Sequence, residues 1–239
     1  MTVRTREVDL QIDGIACSGL FACDDEQHGP GPGILVCHTI RGRTAFEEGK
    51  AHDLAAAGYA ALAVDLYGTH TRDDAPEQLR SHMGGLLDDR VQLGARLKAW
   101  HGRLAALPEV DAGSTAAIGF CFGGLCALDL ARADIDIRGV ASFHGLLKSP
   151  PEAPAAATAT RVLVMHGWDD PLAPPDDVLA LAREFSDLGA DWQLHAYGHT
   201  VHAFTNPIAD DHSAGTVYNA AADKRSGAAL MAFLDELFA

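Results

Sequence analysis

The sequence predicts an α/β architecture, with a mostly parallel central sheet, helices on both faces and an antiparallel hairpin at the N-terminal edge. Three observations carry this. Apolar runs at 34–37, 59–64, 115–119, 138–143, 161–165 and 191–197 alternate with helical patterns, the rhythm of parallel strands joined by helical crossovers and buried on both faces. Residues 3–12 and 15–22 alternate apolar and polar about Asp13-Gly14, a strong two-residue hairpin signal. Residues 116–127, AAIGFCFGGLCA, read as a strand, a sharp turn and the start of an Ala/Leu-rich helix.

Length and composition set the outer bounds. The 239 residues are read as one domain over 1–239, since α/β chains of this size routinely form single domains with a substantial core. The formal net charge of −15 repels phosphate backbones and anionic membranes, which sets nucleic acid and membranes aside as partners. The N-terminal MTVRTREVDLQIDG lacks an apolar core, and no run approaches the roughly 18 apolar residues of a membrane helix. The expected location is cytoplasmic. Five cysteines without a C-x-x-C pair disfavour a disulfide or structural zinc framework.

The remaining elements follow in order. DDEQHGPGPG at 24–33 is turn-rich and precedes the first buried strand. That strand ends in the loop His38-Thr39-Ile40-Arg41-Gly42, followed by a helical pattern over 44–57 with Gly58 as its stop. The strand at 59–64 runs into Asp65-Leu66-Tyr67-Gly68. Residues 69–85 are polar and carry Pro76 and Gly84-Gly85, so a loop or small cap is expected there, with a helix over 86–106. After the strand–turn–helix unit and the strand at 138–143, Lys148 to Thr160 reads as a proline- and alanine-rich surface loop. A helix over 175–188, a loop over 198–217 and a terminal amphipathic helix over 218–238 complete the chain.

In a sheet of this kind function gathers at the C-terminal strand ends. Four loops leave those ends with reactive or polar groups: 38–42, the turn at Cys121, 168–171 and 198–204. Cys121 sits in Gly119-Phe-Cys-Phe-Gly123-Gly124, the G-x-nucleophile-x-G spacing of a nucleophile elbow, with cysteine in place of serine. A helix N-terminus there favours negative charge on sulfur. Cys126, further along the same helix, points elsewhere and reads as core. Asp170 lies just past a strand end in His166-Gly-Trp-Asp-Asp170-Pro171, where a carboxylate can orient a histidine. Asp169 is its neighbour and alternative. His202 lies in the loop after the last strand, where a histidine can reach the elbow as general base and then general acid. His199 is the competitor. The chain order Cys121, Asp170, His202 is nucleophile, acid, histidine, and no serine has the G-x-S-x-G context.

With those pieces in hand the chain resembles the dienelactone hydrolase family of α/β-hydrolases, from about residue 10 to 238. The residues that carry the resemblance are Gly119 to Gly124, the loop His38 to Gly42, Asp65-Leu-Tyr67, Asp170-Pro-Leu-Ala-Pro174 and His202-Ala-Phe204. The resemblance implies an α/β-hydrolase fold and a Cys121–Asp170–His202 triad. It also implies an oxyanion hole from the backbone N–H groups of Phe122 and Ile40, and cleavage of a small-molecule ester or lactone through a thioester, with no metal or organic cofactor needed. Founding members place a glutamate where Thr39 stands, and an arginine that holds the substrate carboxylate where Asn206 stands. Thr39, Arg41 and Asn206 are therefore the candidate pocket residues, with Arg72 and Arg80 as further possible cations.

Other readings share these residues: a thioesterase or acyl-transferring relative, a low-turnover binding or stress-response member of the fold, and a thiol redox sensor at Cys121. Monomer and homodimer are both compatible with the sequence.

Overall fold

The computed structural model describes residues 2–27, 29–133, 135–151 and 158–239. β1 (Val3–Ile12) and β2 (Ile15–Asp24) form the expected hairpin, paired from Val3↔Asp24 to Ile12↔Ile15 around Asp13-Gly14. They continue into β3 (Gly31–Cys37), β4 (Ala60–Ala63), β5 (Val110–Phe120), β6 (Gly139–Phe143), β7 (Arg161–Gly167) and β8 (Trp192–Tyr197). The eight strands make one sheet in the order β1-β2-β4-β3-β5-β6-β7-β8, antiparallel through β2–β4 and parallel from β4 onward. This is the α/β-hydrolase-like sheet. Its parallel run delivers the C-terminal ends of β3 to β8 to one edge.

Helices cover both faces because the strands are apolar on both. On β3, Leu35 and Cys37 face one core cluster and Ile34 and Val36 the other, as a two-residue period demands. The first cluster lies under α2 (Pro76–Asp88), α3 (Arg90–Ala105), α4 (Phe122–Arg132) and α5 (Pro175–Asp187) and includes Leu86, Trp100, Leu125 and Phe185. The second lies under α1 (Ala45–Ala56) and α6 (Ala220–Phe238) and includes Leu54, Leu230 and Phe233. Among the described residues no helix is long and apolar enough to cross a membrane.

Several boundaries differ from expectation. The segment expected as a loop or cap over 69–85 is a single 3₁₀ turn, Thr69–Thr71, followed by α2. Pro76 occupies the first helical position, where its missing N–H costs nothing, so it starts a helix where a loop or small cap was expected. The break falls at Asp89, which ends α2 and accepts the N–H of Gln92 as the N-cap of α3. The loop over 198–217 carries two short strands, β9 (Asp210–Asp211) and β10 (Thr216–Val217), paired with each other. Of the expected surface loop from Lys148 to Thr160, residues 152–157 lie outside the described ones.

Candidate active site

The centre of the site is a backbone turn. Cys121 follows β5 directly and caps α4 with φ 58° and ψ −116°, a conformation that costs a non-glycine residue of the order of 1–3 kcal/mol and persists only where its surroundings impose it. The surroundings are backbone. A Cβ on Gly119 would lie 1.9 Å from the carbonyl oxygen of Gly123, and one on Gly123 would lie 2.2 Å from that of Cys37. Cys121 N–H donates to Phe143 O at 3.0 Å, and its own carbonyl accepts from Gly124 N at 3.0 Å. The result is a free, partly exposed thiol at the head of a helix.

Two loops arrive beside it. Asp170, buried after β7, accepts from Leu172 N at 2.8 Å through Oδ1 and from His202 Nδ1 at 2.7 Å through Oδ2. A carboxylate on Nδ1 fixes the tautomer, so the free lone pair of a neutral ring sits on Nε2. Nε2 is buried and has no hydrogen-bond partner among the described residues. Burial opposes charge on His202, but the Cys121 sulfur and the Asp170 carboxylate outweigh it and raise the imidazole to about 10. The loops are braced against each other: Asp169 N–H donates to Thr200 O at 3.0 Å, and His202 exchanges backbone bonds with Gly215 and Val217. A Cβ on Gly215 would lie 2.5 Å from Pro171 Cγ, so the β9–β10 turn packs directly beside Asp170. The alternatives fall outside this cluster. His199 is fully exposed, 3.7 Å from Asp169, and Cys126 is buried in the core.

Opposite the elbow runs the loop from His38 to Gly42. The amide of Phe122 is the first of α4 and has no helical acceptor, and neither it nor the amide of Ile40 has a partner among the described residues. The loop is held by two buried residues that the sequence reading passed over. Glu47 accepts from Thr39 N at 3.1 Å with one oxygen, and from Thr44 N at 2.9 Å and Thr44 Oγ1 at 2.7 Å with the other. Thr44-Ala-Phe-Glu47 is a capping box, and that spacing was the available signal. His38 accepts from Leu66 N at 3.1 Å through Nε2, so Nδ1–H donates to Thr39 O at 2.6 Å and ties this loop to the turn after β4. Burial pushes His38 down and keeps it neutral, against the opposing pull of Thr39 O and Glu47.

The candidate pocket residues spread out. Thr39 is half-buried and its hydroxyl accepts from Arg41 N at 3.3 Å. The side chains of Arg41 and Arg80 are exposed, and Arg72 approaches Glu7 at 4.0 Å. Asn206 closes a turn on itself, its Oδ1 accepting from Ile208 N at 3.3 Å. Among the described residues no group of His, Cys, Asp and Glu has the arrangement of a metal site.

Taken together, a thiol on a strained elbow, an oriented imidazole and two unpaired amides suit nucleophilic attack on a carbonyl and stabilisation of the oxyanion that results. The family match and the structural likeness point to one family. The dienelactone hydrolase family matches residues 18–238. A dienelactone hydrolase-like promiscuous phosphotriesterase, P91 from metagenomic libraries, superposes with a TM-score of 0.93 at 38% identity, covering 99% of both chains. An uncharacterized protein of Caenorhabditis elegans is 37% identical over 155 residues, 64% of this chain and 98% of that one. A probable 2-oxo-3-(5-oxofuran-2-ylidene)propanoate lactonase of a Bradyrhizobium species is 27% identical over 75% of each chain.

Proposed function

The chain belongs to the dienelactone hydrolase family, and from that premise we propose that it hydrolyses small esters or lactones through a thioester on Cys121. The observation that carries this is the elbow itself, a cysteine at φ 58° heading α4 beside a His202 whose Nδ1 is engaged by Asp170 at 2.7 Å. In the proposed cycle the Cys121 sulfur attacks the carbonyl carbon, and the oxyanion accepts hydrogen bonds from Phe122 N–H and Ile40 N–H. His202 passes its proton to the leaving alkoxide as the C–O bond breaks. A water molecule then gives a proton to His202 and attacks the thioester, releasing the acid and restoring the thiol. With Thr39 unable to take up a proton, activation of Cys121 falls to His202.

The charge pattern favours a neutral substrate over a carboxylate-bearing one. Arg43 is paired with Glu7 and Glu48, Arg72 approaches Glu7, Arg41 and Arg80 project outward, and the chain carries −15 overall. The likeness to P91 supports a second reading in which a phosphotriester is attacked at phosphorus by the same sulfur.

The test is turnover of p-nitrophenyl esters and small lactones by the native protein and by Cys121→Ala, with stoichiometric alkylation of the thiol followed in parallel. Loss of turnover in the variant and on alkylation supports the proposal. Turnover that survives the substitution contradicts it, and rapid alkylation without turnover points to a thiol sensor instead.

A further inference from the structure

A third histidine stands beside the candidate triad. His144 follows β6 directly, is almost wholly buried and holds φ 38°, the left-handed region that suits glycine or asparagine better than histidine. It is kept there by its N–H, which donates to Met165 O at 2.8 Å. Its Nε2 lies 2.8 Å from the buried hydroxyl of Thr205, three residues beyond His202. The ring meets Phe204 edge-to-face at 5.0 Å and His202 at 5.1 Å with an interplanar angle of 67°.

We propose that His144 is a positioning residue for His202: a neutral ring, locked by Thr205, that packs against the His202 imidazole and keeps it aligned between Asp170 and Cys121. This rests on the Cys121–His202 reading given above. Burial holds His144 neutral, and the cations nearby push the same way, His202 first and Lys50 of α1 after it, as a charged His166 of β7 would. A neutral aromatic ring favours a neighbouring imidazolium whose edge meets its face, because edge and face carry opposite partial charge. An imidazolium at 144 would oppose it. The hydrogen bond to Thr205 keeps the His144 ring from turning a nitrogen toward His202 and competing with Asp170.

Two variants separate the ring from the backbone. His144→Asn suits the left-handed conformation but removes the ring; His144→Phe keeps the ring but loses the Thr205 bond. Both are measured for kcat, KM and the pH profile of Cys121 alkylation by iodoacetamide, with thermal unfolding to register stability. Expected for His144→Asn is a kcat of the order of 10- to 100-fold lower, the scale of a misaligned catalytic group, with KM little changed. Its alkylation profile should shift, the acid limb moving to higher pH as the thiolate loses its aligned imidazolium. His144→Phe should recover most of the rate and of the profile. A native profile and kcat in folded His144→Asn would overturn the proposal. So would equal rate losses in both variants with neither profile moved. His202→Asn is the control: if its alkylation profile matches the native one, the Cys121–His202 reading fails; if it shifts while His144→Asn does not, only the present inference fails.

Discussion

A Cβ placed on Gly123 would fall 2.2 Å from the carbonyl oxygen of Cys37, so the head of α4 and the end of β3 meet backbone to backbone. That contact seats Cys121 beside the loop that begins at His38. Gly123→Ala has no flexible side chain to displace and must move one of the two elements, at a cost of about 3 kcal/mol or more. Denaturant unfolding measures it. Gly227→Ala in α6, where a Cβ meets nothing within 4 Å, is the matched control and should gain up to about 1 kcal/mol.

The carboxylate of Glu47 is the acceptor for Thr39 N, Thr44 N and Thr44 Oγ1. Glu47→Ala leaves these donors without it, at about 1–3 kcal/mol for each one left buried and unpaired, and frees the loop that carries Ile40. Misplacing one oxyanion donor costs of the order of 10²-fold in kcat. Steady-state kinetics on an aryl ester should therefore show kcat falling further than KM rises.

Asp170→Asn keeps the shape of the side chain and removes the charge that fixes His202 with its proton on Nδ1. By analogy with an asparagine in a serine-protease triad, kcat should fall about 10³- to 10⁴-fold, and stability near neutral pH should fall as well, because the charge that helps keep buried His202 protonated is gone. A loss of less than about tenfold would remove Asp170 from its proposed role.

Stability should peak near neutral pH, with different groups responsible on each side. His202 is raised to about 10 in the fold from an ordinary 6.5, so its contribution is complete below 6.5 and is lost as pH rises through about 10. Cys17 and Cys37, pushed by burial to about 11 and about 12 from 9.0, add to the loss above pH 9 because the unfolded thiols ionise first. On the acid side burial pushes His38, His101, His144 and His166 down, so their contribution is present above 6.5 and declines as pH falls below it. Thermal unfolding from pH 5 to 10 checks the dome, and His202→Asn should flatten its alkaline side between about 7 and 9.

Much of this was legible in the sequence because the features involved permit few alternatives. Asp13-Gly14 admits one kind of hairpin, and Gly119 and Gly123 flank Cys121 because neither position has room for a Cβ. What was not legible depended on long-range partners. Pro76 reads as an interruption until the helix it starts is visible, and Gly84-Gly85 sits inside α2. Glu47 drew no reading of its own within the helical pattern over 44–57, although Thr44-Ala-Phe-Glu47 has the capping-box spacing. His144 carries no local signal at all, since its meaning comes from Thr205 and His202, more than fifty residues away in sequence. Asp170 and Asp169, adjacent in sequence, were separated by geometry: one is buried against His202 and the other is half-exposed beside His199.

The most direct test of the account is intact-mass analysis of the protein quenched in acid during turnover of a slow aryl ester. The account predicts a transient species heavier by the acyl group of the substrate, mapped by peptide analysis to Cys121, accumulating in Asp170→Asn and absent from Cys121→Ala. An acyl group on any other residue, or steady turnover by Cys121→Ala, would contradict it.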